Sequence, residues 1–317
     1  MCYNIWQRLL LSYYRIRNSR ILDRSGDGEG MGGSSGESAR VCLVTGGSSG
    51  IGRAIAHALA AQGATVIISG RQRGKLKLAV EALRRATGND RIDGIPADLA
   101  SLSQVRALAA ETQARYPGLN TLINNAGTYL VRRQETVDGL EQTFAVNYLS
   151  HFLLTHLMLD CLQRNAPARI VFVSSAIHGW YPRLNLADLP YRHRGYFGGL
   201  PAYCQSKLST LALNYHLARR LAGTGVTVNA YDPGFVRTAI GFESGPALTL
   251  AMKAMSVRWK TPEAGAETAV YLATSPHVSG ISGRYYIQRQ PVLSCRASYQ
   301  VPMAEALWQR SAELVAL

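Results

Sequence analysis

Short uninterrupted apolar runs alternate along this chain with longer segments of helical spacing. The runs are Val41-Cys42-Leu43-Val44, Thr65-Val66-Ile67-Ile68, Thr121-Leu122-Ile123, Arg169 to Val173 and Val226 to Ala230. Strands that are apolar on both faces, each followed by a helix, are satisfied by a parallel sheet covered on two sides. The spacing predicts helices over 51–61, 74–87, 102–115, 138–164 and 201–222, another strand near 91–97, and a final helix near 303–313. The expected fold is therefore α/β: a doubly wound parallel sheet of Rossmann type. No shift in composition divides residues 40–290, so one domain is expected over 40–317, and 47% hydrophobic content is enough to fill its core.

Residues 1–39 read differently, as a basic leader and a Gly/Ser-rich linker. Arg8, Arg15, Arg17 and Arg20 precede the first acid, Asp23, while Ile5, Trp6, Leu9, Leu10, Tyr13, Tyr14 and Ile16 fall on one side of a helix. The apolar run is far short of the roughly 20 residues that span a bilayer. Such a segment lies on a membrane surface, acts as a targeting peptide, or forms a disordered leader. From Ser25 to Ser38 the composition is that of a flexible linker, and Met31 within it is a second candidate start. Five scattered cysteines, an odd number without metal-type spacing, fit a reducing compartment. A cytoplasmic location is expected, with the leader able to hold the chain at the periphery of a membrane.

The net charge of +14 suits nucleic acid, an anionic membrane or a phosphate-rich ligand. Its basic residues are dispersed through amphipathic segments and match no zinc-finger, RRM or basic-zipper pattern, so no nucleic-acid partner is expected. The phosphate reading has a specific carrier. Thr45-Gly46-Gly47-Ser48-Ser49-Gly50-Ile51-Gly52 stands between the first strand and the first helix. Glycines there allow a tight turn and close approach of phosphate to the main chain, and the helix N-terminus offers unpaired N–H groups. A Walker A loop would need Gly-Lys-Ser/Thr at its end, and here Gly52 is followed by Arg53 and Ala54. Gly46-Gly47-Ser48-Ser49-Gly50 also satisfies the nucleophile-elbow pattern, but it follows the very first strand, with no earlier sheet to support an elbow. A dinucleotide pyrophosphate is the better ligand. After the second strand come Gly70-Arg71-Gln72-Arg73, Lys75 and Lys77, with no acid between Ile68 and Val80. Arginine accommodates a ribose 2′-phosphate where a carboxylate would select the free hydroxyl, so Arg71 favours NADP over NAD.

Tyr203 and Lys207 lie one helical turn apart, which lets an ammonium act on a phenol. With the glycine loop, Asn124-Asn125-Ala126-Gly127 and Tyr203-x-x-x-Lys207 in this order, the chain resembles the short-chain dehydrogenase/reductase family over about residues 40 to 290. The resemblance implies a catalytic group of Asn147, Ser175, Tyr203 and Lys207. Ser175 would hold the substrate oxygen, Tyr203 would exchange its proton, and Lys207 would bind nicotinamide ribose and lower the tyrosine pKa. Asn147 would bend its helix and hold a relay water. It also implies cofactor contacts from the glycine loop, Asp98 and Leu99 at the adenine, Asn125, Ala126 and Gly127, Tyr203 and Lys207 themselves, and Pro233, Gly234 and Thr238 beside the carboxamide. No metal is expected.

Ser175 and Tyr203 are 28 positions apart, a longer gap than the family usually has. Asn185-Leu186-Ala187-Asp188-Leu189 and the run Tyr203 to Leu208 resemble the retinol-dehydrogenase-like branch. That implies lipophilic alcohols, aldehydes or ketones of retinoid or isoprenoid type. Apolar residues around the expected pocket agree: Tyr129, Leu130, Trp180, Tyr181, and a substrate lid between Phe235 and Trp259 with Leu248, Leu250, Met252 and Met255. The resemblance also offers a homodimer through the two long helices. The competing expectation from another class is a catalytically silent dinucleotide-binding regulator or scaffold, which should have lost a member of the catalytic group. His178 is read as structural.

Overall fold

The computed structural model describes residues 40–192, 195–237 and 259–317. The leader and linker over 1–39, the site candidate Thr238 and most of the expected lid lie outside the described residues. Eight strands form one sheet in the order β3-β2-β1-β4-β5-β6-β7-β8. They are β1 (Val41–Val44), β2 (Thr65–Gly70), β3 (Ile92–Pro96), β4 (Thr121–Asn124), β5 (Ala168–Val173), β6 (Val226–Asp232), β7 (Arg284–Ile287) and β8 (Gln290–Val292). All neighbours pair in parallel except β7 and β8, which are antiparallel. The order reverses at β1, between β2 and β4, and the crevice at such a switch point is where open α/β sheets bind ligands.

The apolar runs are continuous because successive side chains enter two different cores. Leu43, Ile67, Leu122, Ile170 and Val228 face one side, which is covered by α3 (Leu102–Arg115), α4 (Ser150–Arg164) and α5 (Leu200–Arg220). Cys42, Val44, Val66, Ile68, Ile123 and Val171 face the other, under α1 (Gly50–Ala61), α2 (Arg73–Thr87) and α6 (Pro262–Thr274). Full burial of each such side chain contributes about 1.5–3 kcal/mol.

Three features differ from the sequence expectation. The helix expected from residue 138 begins at Gln142, where the buried Glu141 carboxylate accepts the N–H groups of Thr143 and Phe144 at 2.8 and 2.6 Å. It then passes through a π-helical turn, Ala145–Leu149, before continuing as α4. The second difference is the presence of α6, β7 and β8, which the spacing did not separate from the surrounding polar residues. The third is the extent of α7 (Val301–Leu314), which lies across the long helices. Its Trp308 ring packs edge-on to Phe152 with centroids 4.8 Å apart, stacks near His216 at 5.0 Å, and receives the Arg220 guanidinium at 4.8 Å. Part of the face that the resemblance offers to a dimer partner is thus occupied by the chain's own terminus. No described helix is long and apolar enough to cross a membrane.

Candidate functional site

The glycine loop closes on itself so tightly that side chains are excluded. A methyl group at Gly52 would lie 2.4 Å from the Gly46 carbonyl oxygen, and one at Gly47 would lie 2.5 Å from Ile68. Gly46 and Gly50 have φ of +67° and +54°, which glycine adopts without strain. The first turn of α1 contains no acid, and the Ser49 hydroxyl makes no cap to it, so the positive end of the helix faces the loop. Gly47 N–H donates to the Ser69 carbonyl at the end of β2, and a methyl group at Gly70 would lie 3.0 Å from Ser48 Oγ. The exposed Arg71 therefore begins where the loop ends. This cradle fits a dinucleotide. Replacing Gly52 by alanine is expected to abolish binding of a reduced nicotinamide dinucleotide, measured by the change in its fluorescence, because the clash is with main chain.

Thr45 starts the loop and joins it to the next strand end. Its Oγ1 accepts from Asn125 N–H and Ala126 N–H at 2.9 and 3.0 Å, while Asn125 Nδ2 donates back to the Thr45 carbonyl at 2.8 Å. The nearest acceptor for the Thr45 hydroxyl hydrogen is His151 Nε2 at 3.1 Å, which leaves Nδ1–H of that ring to donate to the Asn147 carbonyl at 3.2 Å. Burial, helped by the Lys207 charge, pushes His151 down to about 3, so this connector stays neutral. Sequence reasoning missed His151. The only available signal was a polar residue one turn after Asn147 in an otherwise apolar stretch.

Asp98 and Leu99 follow β3. Ala100 N–H donates to Asp98 Oδ1 at 3.0 Å, closing a local turn. The Leu99 side chain is in the core, so only its main chain is offered to a ligand. Gly127 lies between the remaining groups: a methyl group there would be 3.4 Å from Asn147 Oδ1 and 4.0 Å from Lys207 Nζ. Asn147 sits within the π turn, where the helix departs from α geometry. Its side chain accepts from Thr128 N–H at 2.7 Å, donates to the Thr128 carbonyl at 3.0 Å, and donates to Ser206 Oγ at 3.2 Å. Ser206 in turn donates to the Tyr203 carbonyl at 2.7 Å. A continuous set of hydrogen bonds thus runs from the glycine loop to the turn that bears Tyr203.

Lys207 is 4% exposed and donates from Nζ to the Val173 carbonyl at 3.0 Å, with Nζ 5.6 Å from the centre of the Tyr203 ring. Burial lowers its pKa to about 8, against the attraction of the Asp232 carboxylate. The net direction at the tyrosine differs from the expectation: its pKa is pushed up, chiefly by loss of hydration and next by the Asp232 charge. The Tyr203 hydroxyl has no hydrogen-bond partner among the described residues. Of the two serines after β5, Ser174 is buried and donates to the Lys207 carbonyl at 3.1 Å. Ser175 is half-buried; its Oγ accepts from Ile177 N–H at 3.4 Å, leaving its own hydrogen without an acceptor among the described residues.

Asp232, at the end of β6, holds two loops at once. Its carboxylate accepts Ala176 N–H at 3.0 Å, directly after Ser175, and Gly234 N–H at 2.8 Å, directly after Pro233. His178 supports Ser175 from beneath: Nδ1 donates to the Ser175 carbonyl at 2.6 Å and Nε2 accepts Cys295 N–H at 3.0 Å. Both ring nitrogens are engaged, and burial holds the imidazole down at about 4. The structure therefore gathers Thr45, Asn125, Ala126, Gly127, Asn147, Tyr203 and Lys207 into one connected region, with Ser175 and Pro233-Gly234 joined to it through Asp232. Arg71 stands beside the glycine loop. Among the described residues no group of three or more His, Cys, Asp or Glu could hold a metal ion.

The chain is similar to known proteins. The family model described as short chain dehydrogenase matches residues 40–187. Human polyprenol dehydrogenase is 38% identical over 282 residues, covering 87% of this chain and 84% of that protein. Mouse retinol dehydrogenase 14 is 39% identical over 291 residues, covering 88% and 86%. Among solved structures, a Pseudomonas aeruginosa RhlG/NADP active-site complex superposes with a TM-score of 0.60 at 30% identity, covering 78% of this chain and 93% of that one. A Serratia marcescens short-chain dehydrogenase/reductase mutant gives 0.61 at 27% identity, covering 78% and 94%.

Proposed function

The chain belongs to the short-chain dehydrogenase family and is an NAD(P)-dependent oxidoreductase, and from that premise we propose that it interconverts lipophilic alcohols and carbonyls with NADP, using Tyr203 as acid and base. The observation that carries this reading is the meeting of Asn147 and Lys207 at Gly127, with the Lys207 ammonium 5.6 Å from the centre of the Tyr203 ring. The lipophilic class is supported by the exposed Trp180, Tyr181, Phe197 and Phe235 in the segments that follow Ser175 and Pro233-Gly234, and by the substrates for which the relatives are named.

A nicotinamide held by the glycine loop would supply or accept the hydride. The Ser175 hydroxyl, with its hydrogen uncommitted, donates to the substrate oxygen and fixes its position. Tyr203, kept in its acid form by burial, gives its proton to that oxygen in the direction of reduction. Lys207 holds positive charge below the phenol and is one turn from it, so a tyrosinate formed during turnover is stabilised. Asn147 keeps the main chain at Thr128 against the Tyr203 helix. Thr45, Gly46, Ser48, Ser49, Gly50, Ile51 and Gly52 would form the pyrophosphate cradle, with Asp98, Leu99, Pro233 and Gly234 completing the cofactor contacts.

The test is oxidation of NADPH by the purified chain with a panel of aldehydes that includes retinal, against NADH at equal concentration. Turnover with NADPH well above that with NADH is expected; no turnover with any lipophilic carbonyl, or a preference for NADH, would overturn the reading. Arg71→Ala is expected to weaken NADPH about tenfold, a loss of about 1.4 kcal/mol, and to leave NADH unchanged. Titration of both cofactors by fluorescence measures the difference.

A further inference from the structure

The long segment between Ser175 and Tyr203 is fastened at its far end to the strip that follows Gly127. Tyr129 donates its hydroxyl hydrogen to the Gly198 carbonyl at 2.7 Å. Gly199, with φ of +79°, passes so close to Leu130 that a methyl group there would be 2.0 Å from the Leu130 carbonyl oxygen. Arg133 Nε donates to the Tyr191 carbonyl at 2.8 Å, and Tyr196 donates to the buried Glu141 carboxylate at 2.9 Å. Glu141 is the residue that caps the helix leading to Asn147. The Tyr196–Gly199 end of the insertion is thus a fixed wall, and its position is tied to the catalytic helix.

Tyr129 is where that wall meets the reacting group. Its ring stands edge-on to the Tyr203 ring, with centroids 5.4 Å apart and planes at 88°. At that separation the two rings are in van der Waals contact, so no substituent passes between them. The ring cannot swing aside without breaking the bond to Gly198, because the hydroxyl is held at the end of a rigid aromatic lever. Tyr129 therefore closes one of the flanks from which a carbonyl could approach the Tyr203 hydroxyl.

On the reading that Tyr203 is the acid and base, we propose that Tyr129 is a specificity-determining residue. It admits a carbonyl or alcohol at the end of a slender chain, as in a linear aldehyde, and disfavours a ketone that carries bulk on both sides. The proposed proton transfer does not by itself make this choice, since it serves aldehydes and ketones alike.

The experiment compares the full chain with Tyr129→Ala and Tyr129→Phe. A linear long-chain enal and a branched aryl ketone are the two probes. kcat/KM is measured with NADPH, and the dissociation constant of each probe is measured by protein fluorescence with oxidised cofactor present. Tyr129→Ala is expected to raise the ketone-to-enal ratio about tenfold or more in both measurements, the scale on which small steric changes in a pocket act. Tyr129→Phe keeps the ring but frees it from Gly198, and is expected to give a smaller rise in the same direction. An unchanged ratio in both measurements for Tyr129→Ala would overturn the proposal. Loss of turnover in the unmodified chain would sink the parent reading instead, and the binding ratios would still decide the role of Tyr129.

Discussion

Tyr203→Phe is expected to reduce kcat for carbonyl reduction by about 10²–10⁴-fold, the usual contribution of a positioned acid or base, while leaving NADPH affinity and thermal stability nearly unchanged. The reason lies in what the hydroxyl does and does not touch. It has no hydrogen-bond partner among the described residues, so its removal strands no buried polar group, and the ring contact with Tyr129 survives in phenylalanine. An ordinary structural tyrosine would give the opposite pattern, a loss of stability with turnover retained. Steady-state kinetics and a melting curve on the same preparation separate the two. Turnover within a few-fold of the parent would mean that another group supplies the proton.

Lys207→Met is expected to lower kcat/KM by about 10²–10³-fold, comparable with losing one preorganised donor, and to change the pH profile. Burial has already brought the lysine down to about 8. Below that pH the ammonium is charged; as pH rises through about 8 the charge is lost, and with it the support for tyrosinate and the attraction for an anionic cofactor. Burial keeps the Tyr203 phenol protonated well beyond this range, so the tyrosine itself does not set that limb. Reduction should therefore be flat toward neutral pH and fall above about 8 in the parent chain. In Lys207→Met the rate should be low throughout and the fall near 8 should vanish. Persistence of that fall in the variant would assign it to another group.

Much of this protein was legible before any coordinates. Strands apolar on both faces leave the backbone few ways to be buried, and the six main strands and the helices between them lie close to where the spacing put them, apart from the helix expected from residue 138, which begins at Gln142. The glycine loop was equally readable, since its requirement is local: a turn at positive φ and a main chain that tolerates no side chain. The polar C-terminal elements were harder. Pro262–Thr274 and the β7–β8 pair gain their stability from packing against α1 and β6, and that contact leaves little periodic mark on the residues themselves. The resemblance put a bend at Asn147, but not its form as a π turn over Ala145–Leu149, where the Asn147 side chain bonds to Thr128 and Ser206.

Sequence alone determined the fold class and the family, because each depends on short-range pattern or on spacing along the chain. Tertiary structure decided how the site residues are charged and what flanks them. It raised the Tyr203 pKa where spacing predicted a lowered one. It set the Asp232 carboxylate against the main chain of both Ala176 and Gly234, linked Thr45 to Asn147 through His151, and stood Tyr129 edge-on to the Tyr203 ring. Desolvation and contact are distances through space between segments far apart in the chain, and only the folded arrangement fixes them.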